Sequence, residues 1–476
     1  MLHFETIIPG FKGNTMASIG VLALGRPTFD VAFAEELLSE AHSALQKSGH
    51  TIHGGSQLLF DADATVTALE SLKAENLDMV LILQVTFTDA TMTVKIASEL
   101  NAPIAIWAFP EPRLGGRLRL NAFCGLNLAA HALGLNDTAF SYAYSAPGET
   151  DVSGLLDDLL GAKRLATPRF GSDVAVDTSL VNAAIAGLKG KRIGRLGDHP
   201  DGFDTCRYDA KTLNNLAGIQ VDDLALDTLF DTAKEVRADT RAQSHASVSG
   251  LDGLSEVDPE ELDRSMALHG ALQGLRKSGK YDAFAIRCWP ETFTEYGGAV
   301  CGPVGMMGEA KVPCACEADV YGALTNLLVQ EITDTPPFLV DLVDLDVKSE
   351  TGVVWHCGQA PISMADPETT PKAGIHSNRK MPLLFEFPLK PGRVTLVRIS
   401  QARGQQSMFI ATGEMKRAPL AFSGTAGVMA FDAGIDKTLK TVMDFGLEHH
   451  TTLCYGDHAE ALTAAASALG LPVTMV

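Results

Sequence analysis

A change of hydrophobic periodicity near Phe338 divides this sequence into two kinds of segment. Before it, short apolar runs such as Met79 to Val85 alternate with amphipathic helical stretches such as residues 94–100. This alternation is typical of βαβ units, in which helices cover a parallel sheet. After it, apolar and polar residues alternate one by one, as in residues 394–399, between turn signals such as residues 390–392. The sequence therefore predicts an α/β protein with two Rossmann-like α/β domains built on parallel sheets, followed by a β-rich, barrel-like C-terminal domain.

The length of the chain supports a division into several domains. A single hydrophobic core stops growing at roughly 250–300 residues, and this chain has 476 residues. A stretch rich in proline and glycine at residues 168–172 indicates a junction. We expect an N-terminal Rossmann-like domain over residues 1–167, a middle α/β domain over residues 168–335, and a C-terminal β-rich domain with terminal helices over residues 336–476. No G-x-G-x-x-G motif follows the first predicted strand, so no dinucleotide cofactor is expected.

The charge balance argues against nucleic acid as a partner. The chain has 58 acidic and 38 basic side chains and a formal net charge of −20, which would repel a phosphate backbone. The first residues lack a basic segment followed by an apolar one, and no apolar run of about 18 residues occurs. The eight cysteines are scattered rather than clustered as in a disulfide framework. We therefore expect a cytoplasmic protein with no membrane partner and with reduced thiols.

Acidic and imidazole side chains follow predicted strands at several points. A strand predicted over Ala283 to Trp289 is followed by Pro290 and Glu291, and a short apolar strand leads into Glu317, Ala318 and Asp319 before a helix. Sites in α/β proteins concentrate at such strand ends. The alternatives are a solvated loop for Glu291 and helix capping for the other two carboxylates.

Two histidine segments complete the set of candidates. His356 lies in the sequence Trp355-His356-Cys357-Gly358, and His450 lies five residues before Tyr455. Imidazole is the commonest nitrogen ligand of transition metals, although single histidines also serve as hydrogen-bonded structural groups. Two carboxylates and an imidazole would form a mixed oxygen and nitrogen site suited to Mn²⁺, Mg²⁺ or Co²⁺. Such a metal polarises a carbonyl while a carboxylate moves the proton next to it.

The segments around these residues resemble those of the L-fucose/L-arabinose isomerase family. Pro290-Glu291 is similar to the family's first acidic motif, Glu317-Ala318-Asp319 with Gly322 to Thr325 to its second, and His450 to its C-terminal metal-binding histidine. The resemblance covers most of the chain. It includes residues 84–89 and 107–111 near the N-terminus, and residues 389–396 and 408–414 of the β-rich region.

This resemblance implies a metal-dependent aldose–ketose isomerase that acts on a monosaccharide through a cis-enediol. Glu291 and Asp319 would be both metal ligands and the catalytic acid/base pair, and His450 would be the third ligand. His356, Glu317 and Trp289 would lie close to the substrate. The implied cofactor is a divalent cation, with Mn²⁺ favoured over Mg²⁺ or Co²⁺. The family also implies a homo-oligomer with its sites at subunit interfaces.

The identity of the sugar is left open by the sequence. Arg117 belongs to the basic run Arg113 to Arg119 in an otherwise acidic protein, so it could bind an anionic substituent such as a sulfonate. A solvated surface loop explains the same run. Deoxy, pentose and sulfonated sugars therefore remain candidates, as do two other functions: a non-catalytic sugar-binding or regulatory protein, and a metal-dependent epimerase or aldolase.

Overall fold

The computed structural model describes residues 16–161 and 178–476. The described chain divides into two compact units, one formed by residues 16–110 and 119–161 and the other by residues 111–118 and 178–476. Both contain parallel sheets covered by helices, and the second also contains a large β-rich sheet. The predicted fold class is therefore confirmed. The division into three domains stays a prediction.

The first unit is built on a five-stranded parallel sheet with the order β2-β1-β3-β4-β5. This is the order of doubly wound sheets of the flavodoxin type. Its strands are β1 (Ser18–Leu24), β2 (Thr51–Leu59), β3 (Met79–Gln84), β4 (Ile104–Ala108) and β5 (Phe140–Tyr144). Its helices are α1 (Val31–Gln46), α2 (Ala62–Leu72), α3 (Thr91–Glu99), α4 (Ala122–Leu135) and α5 (Val152–Gly161).

The central strands of this sheet are almost entirely apolar because helices cover both faces. Every residue of β3 and β4 is buried, as expected for strands inside a parallel sheet. Helix α1 begins after Asp30, whose side chain accepts a hydrogen bond from the Phe33 N–H, a regular N-cap. The apolar run predicted from Met79 is thus confirmed as β3.

The first half of the second unit is a smaller α/β layer. Its four-stranded parallel sheet has the order β7-β6-β8-β9. The strands are β6 (Arg192–Leu196), β7 (Gln220–Leu224), β8 (Ala283–Ile286) and β9 (Cys314–Cys316). The helices are α6 (Asn182–Leu188), α7 (Ala210–Ala217), α8 (Leu226–Lys234), α9 (Ala238–Val248), α10 (Pro259–Gly279), α11 (Cys301–Glu309) and α12 (Val320–Thr333), with a π-helix at Thr292–Tyr296.

One strand of this layer is shorter than predicted. The strand expected over Ala283 to Trp289 ends at Ile286. Pro290 follows closely, and because proline has no N–H to donate to a ladder, it does not continue a strand inside a sheet. The chain instead turns into the π-helix, so Glu291 lies at a helix start rather than directly on a strand.

The second half of the unit is a nine-stranded sheet with the order β12-β13-β16-β11-β10-β17-β14-β15-β18. A further pairing between β15 and β16 closes six of these strands into a barrel. The strands are β10 (Phe338–Asp346), β11 (Thr351–His356), β12 (Lys372–Gly374), β13 (Leu384–Pro388), β14 (Gly392–Ser400), β15 (Ser407–Lys416), β16 (Thr425–Phe431), β17 (His450–Tyr455) and β18 (Val473–Met475). Two helices, α13 (Ile435–Phe445) and α14 (Ala459–Leu469), interrupt this series.

Short 3₁₀ turns connect several of these elements. They lie at Pro147–Glu149, Thr178–Leu180, Asp204–Cys206, Leu254–Glu256, Ile362–Met364 and Ala402–Gly404. A search of the described helices for one long and apolar enough to cross a bilayer finds none.

Candidate functional site

Three adjacent strands of the barrel bring a carboxylate and two imidazoles together. Asp341 of β10 is the direct cross-strand neighbour of His450, the first residue of β17. His356 is the last residue of β11, one position beyond the Trp355 that pairs with Asp341 on its other side. One ligand atom from each of these three side chains lies within 4.8 Å of those of the other two. All three residues are at least nine-tenths buried.

Glu317 approaches the same histidine from the α/β layer. It lies in the turn between β9 and α12, where both Glu317 and Ala318 have positive φ values, 59° and 55°. A left-handed residue other than glycine costs on the order of 1–3 kcal/mol, so this turn is held by its surroundings. Glu317, His450 and Cys206 form a second group whose ligand atoms lie within 4.8 Å of one another. The two groups share His450.

Several polar atoms of this cluster lack a hydrogen-bond partner among the described residues. They are Asp341 Oδ1, His356 Nε2 and His450 Nε2, each buried. A buried polar atom without a partner is costly and uncommon. A divalent cation accepts electron pairs from carboxylate oxygen and imidazole nitrogen, which is the donor set of Mn²⁺ and related metals. The residues present therefore fit a metal centre.

The orientation of His450 is fixed by a buried ion pair. His450 Nδ1 lies 2.9 Å from Asp319 Oδ2. Asp319 also accepts hydrogen bonds from the two terminal nitrogens of Arg398, at 2.5 and 3.0 Å, and from the Gly322 N–H at 2.9 Å. Because a carboxylate only accepts, His450 carries its proton on Nδ1 and leaves the lone pair of Nε2 facing the cluster. Asp319 also caps α12, as the alternative interpretation of the sequence expected.

Glu317 is held by an indole and a second histidine. Trp289 Nε1 donates to Glu317 Oε1 at 3.0 Å, and His449 Nε2 lies 2.9 Å from Glu317 Oε2. His449 Nδ1 in turn lies 3.1 Å from the Thr205 hydroxyl. Burial opposes ionisation of Glu317, but its contacts with His449, His450 and Trp289 outweigh that effect and lower its pKa to about 2. Glu317 is therefore ionised at neutral pH.

Neighbouring charges lower the pKa of Asp319 and raise that of His449. Burial opposes ionisation of Asp319 too, but the Arg398 guanidinium and His450 hold its pKa well below the usual range. Burial disfavours protonation of His449, yet the Glu317 carboxylate raises its pKa above the ordinary value. The site therefore contains fixed negative charge beside imidazoles that can hold a proton.

The structure brings together most of the residues predicted from the sequence. Glu317, His356, His450 and Trp289 lie in or beside the cluster, and Asp319 supports it through His450. Glu291 belongs to neither group of ligand atoms. Its carboxylate accepts a hydrogen bond from Arg287 Nε at 2.6 Å, which lowers its pKa.

The remaining predicted residue, Arg117, lies on a loop of the second unit. Its Nε donates to Asn378 Oδ1 at 3.0 Å.

Glu291 lines a surface depression that also contains Asp227 and Glu295. The ligand and acid/base roles expected for Glu291 thus find no support in this geometry, and the role expected for Arg117 stays a prediction.

Sequence reasoning missed four residues of the site. They are Asp341, Cys206, His449 and Arg398. Asp341 is one of three aspartates in β10, where it lies between apolar residues, and a buried carboxylate in a strand was the available signal. Arg398 lies in the same kind of position in β14, where its side chain is 1% exposed.

Comparison with known proteins identifies relatives over nearly the whole chain. Residues 20–163 match the fucose/sulfoquinovose isomerase N-terminal domain, and residues 354–476 match the L-fucose isomerase C-terminal domain. A sulfoquinovose isomerase of Priestia aryabhattai is 28% identical over 92% of this chain and 94% of its own length. That of Clostridium sp. is 29% identical over 95% and 98%, and that of Alkalicoccus urumqiensis is 26% identical over 97% and 100%.

One solved structure provides a contrast with these relatives. A solute-binding protein of Burkholderia multivorans aligns with 68% of this chain and 95% of its own, at 10% identity and with a TM-score of 0.20. That score is too low to carry an argument about fold or function.

Proposed function

Because this chain belongs to the fucose isomerase-like family, we propose that it is a metal-dependent aldose–ketose isomerase that acts on a sulfonated monosaccharide. The observation that carries the proposal is the convergence of Asp341, His356, His450 and Glu317 on one buried point. A protein that only binds sugar has no need of buried donor atoms aimed at a cation. The three curated relatives named above all carry the name of one sulfonated sugar.

The residues that would hold the metal are Glu317, Asp341 and His450, with His356 as a fourth donor. Two carboxylates and one or two imidazoles favour Mn²⁺, with Mg²⁺ and Co²⁺ as alternatives. A cation bound there supplies Lewis acidity, since it polarises the sugar carbonyl and stabilises the negative charge that develops on its oxygen. This set differs from the one predicted from the sequence, in which Glu291 and Asp319 were ligands.

Isomerisation requires a base that removes the proton next to the carbonyl and returns it to the neighbouring carbon. Glu317 is suited to this role because it is ionised at neutral pH and is held in place by Trp289 and His449. His449 Nε2, 2.9 Å away, can donate its hydrogen to Glu317 Oε2 and so hold that oxygen in place. The Thr205 hydroxyl can donate to the far side of that imidazole and keep it oriented.

Asp319 and Arg398 act on the reaction through His450 rather than through the substrate. The ion pair is completely buried and holds the imidazole by its Nδ1 proton. Fixing the ring this way keeps Nε2 directed at the cluster and raises its basicity as a ligand. Asp319 is thus a positioning residue in this proposal.

The test is metal-dependent conversion of sulfonated sugars by the metal-stripped protein with added Mn²⁺, followed by NMR. We expect the carbonyl to move from C1 of the aldose to C2 of a ketose. The unchanged mass of the product separates an isomerase from an aldolase, and the new position of the carbonyl separates it from an epimerase. Glu317→Gln should lower kcat by at least about 10³-fold, since it removes both a base and a ligand.

Glu291→Gln is the matched control, because it makes the same chemical change at the other predicted glutamate. We expect it to alter kcat less than about 10-fold, given that Glu291 is bound to Arg287 outside the cluster. Equal losses in both variants would restore Glu291 as a ligand. Sugar binding without turnover in the wild type would count against the isomerase and favour a binding protein.

Two further properties implied by the family remain predictions. We propose a homo-oligomer with sites at subunit interfaces and a cytoplasmic location. Light scattering of the purified protein tests the first, and a monomeric, fully active enzyme would contradict it.

A further inference from the structure

A short basic loop lies next to the candidate site. It runs from His376 to Met381 and contains Arg379 and Lys380. Backbone hydrogen bonds close the loop, from the Lys380 N–H to the His376 carbonyl at 2.7 Å and from the His376 N–H to the Met381 carbonyl at 3.0 Å. The Arg379 N–H also donates to the ring of His376, at 3.3 Å. These contacts fix the backbone that carries the Arg379 and Lys380 side chains.

The guanidinium of Arg379 lies over the ring of Trp289, 5.5 Å from its centroid. The same indole donates its N–H to Glu317 at 3.0 Å. One aromatic ring therefore separates the Arg379 cation from a proposed metal ligand and base. A six-carbon sugar held at its carbonyl end beside Glu317 is long enough to reach past an indole.

Two further contacts hold this loop in place. The His376 ring packs on Phe293, with centroids 5.3 Å apart. Burial, and to a lesser extent the nearby positive charge of Arg379, lowers the pKa of His376 to about 3, so this ring is neutral at neutral pH and adds no charge to the loop. Arg117 is bound to the same loop through Asn378.

An anionic substrate needs a fixed cation here for a simple electrostatic reason. The chain has a net charge of −20, and the cluster itself contains the carboxylates of Glu317 and Asp341. A sulfonate that approaches them is repelled unless a positive group compensates. Arginine suits a sulfonate because its planar donors match the spacing of two anionic oxygens.

We propose that Arg379 is a specificity-determining residue that binds the sulfonate of the substrate while Glu317 and its neighbours engage the carbonyl end. This inference rests on the proposed function and assigns one end of the same site. In this arrangement Trp289 forms the wall along which the sugar lies, and Arg117 steadies the loop through Asn378. Arg379 thereby selects a sulfonated sugar over the hexose that has a hydroxyl at the same carbon.

A purely structural role for Arg379 makes a different prediction. If the guanidinium only stacks on Trp289, its loss disturbs Glu317 and lowers turnover of every sugar alike. If it binds the sulfonate, its loss acts mainly on the charged substrate. The ratio of kcat/KM for the sulfonated sugar to that for its hydroxyl analogue therefore distinguishes the two roles.

The experiment compares Arg379→Gln, Arg379→Lys and the control Arg237→Gln, each in the full chain with Mn²⁺. Arg237 is 81% exposed and pairs only locally with Asp239. We expect Arg379→Gln to lower the kcat/KM ratio on the order of 10- to 100-fold, mainly through KM, because a charge-assisted contact is lost. Arg379→Lys should recover part of the loss, and the control should leave the ratio unchanged.

Calorimetric titration with the sulfonated sugar makes the test independent of turnover. Loss of binding in Arg379→Gln, together with unchanged binding in Arg237→Gln, supports the inference even if the wild type converts no sugar, in which case the proposed function alone fails. Equal kcat/KM losses for both sugars, or unchanged affinity in Arg379→Gln, would overturn the inference and leave the isomerase standing. A wild type that does not bind the sulfonated sugar would overturn both.

Discussion

Two neighbouring acidic regions of the second unit differ in how their charge is satisfied. Asp319 and Arg398 form a pair in which the carboxylate accepts bonds from the guanidinium, a backbone N–H and His450. The cluster of Asp341, His356 and His450 is as deeply buried, yet each member has an atom without a hydrogen-bond partner among the described residues. In the Asp319–Arg398 pair the carboxylate has its partners within the protein, and a single nitrogen, Arg398 Nε, has none among those residues. In the cluster, three converging atoms have none.

This difference shows that burial of a charged group does not by itself indicate a site. Buried ion pairs are common structural devices, whereas buried acceptors that converge without donors require another explanation. Glu317 and Asp319 illustrate the point, because they are two residues apart and both have lowered pKa values. The hydrogen-bond partners of the two carboxylates, rather than their residue type, distinguish Glu317 as a proposed metal ligand from Asp319, which holds His450 in position.

The largest effect is expected from removing a proposed metal ligand from the cluster of Asp341, His356 and His450. Asp341→Asn deletes one carboxylate from the cluster and should lower metal-dependent turnover by at least about 10³-fold, because the metal contributes several kcal/mol to the barrier. Mn²⁺ should raise the melting temperature of the wild type and not that of the variant. Differential scanning calorimetry with and without metal checks this, and equal stabilisation of both proteins would remove Asp341 from the ligand set.

The next largest effect is expected from breaking the Asp319–Arg398 pair. Arg398→Met leaves the Asp319 carboxylate buried without its main partner, which should lower the free energy of unfolding by about 3–5 kcal/mol. Urea denaturation of the metal-free protein measures the loss. The double variant Asp319→Leu/Arg398→Met should recover much of it, since no uncompensated charge remains. A single variant as stable as the wild type would show that the pair contributes nothing to folding.

A smaller effect tests the link between the two regions. Asp319→Asn keeps an acceptor for Arg398 but weakens the hold on the Nδ1 proton of His450. Loss of such a supporting carboxylate lowers metal affinity about 10- to 100-fold. Calorimetric titration with Mn²⁺ measures the affinity directly, with Asp366→Asn, which alters a carboxylate bound to Arg417, as the control. Unchanged affinity in Asp319→Asn would leave the two regions independent.

The smallest effect comes from a buried histidine that has no carboxylate partner. His269 is 5% exposed, its Nδ1 lies 2.8 Å from the Ser244 hydroxyl, and burial lowers its pKa to about 4. Its folded pKa lies below the unfolded value, so it does not affect stability well above pH 6.5 and destabilises the fold as pH falls from 6.5 towards 4.

The expected size of this effect is about 2 kcal/mol of unfolding free energy between pH 8 and pH 5. His269→Gln can still bond to Ser244 and should remove that part of the pH dependence. Chemical denaturation of both proteins at the two pH values provides the measurement. Parallel pH profiles in the two proteins would mean that His269 does not titrate in this range.

The sequence predicted the elements of this fold better than it predicted the site. Runs such as β3 are visible in the sequence because they depend on nearby residues. The meeting of Asp341 with His450 depends on strand register across distant parts of the chain, which periodicity does not reveal. Glu291 was selected because it follows a predicted strand and resembles a family motif, but Arg287, four residues earlier, binds it.

The position of β17 determines when the proposed metal site can form. This strand is the last but one along the chain, yet it lies between β10 and β14 in the barrel. A nascent chain that has not yet been translated past His450 lacks one ligand and the strand that aligns Asp341. We therefore expect the proposed metal site to form only after the C-terminal region has been synthesised, and a fragment that ends before His450 to bind Mn²⁺ more weakly than the full chain.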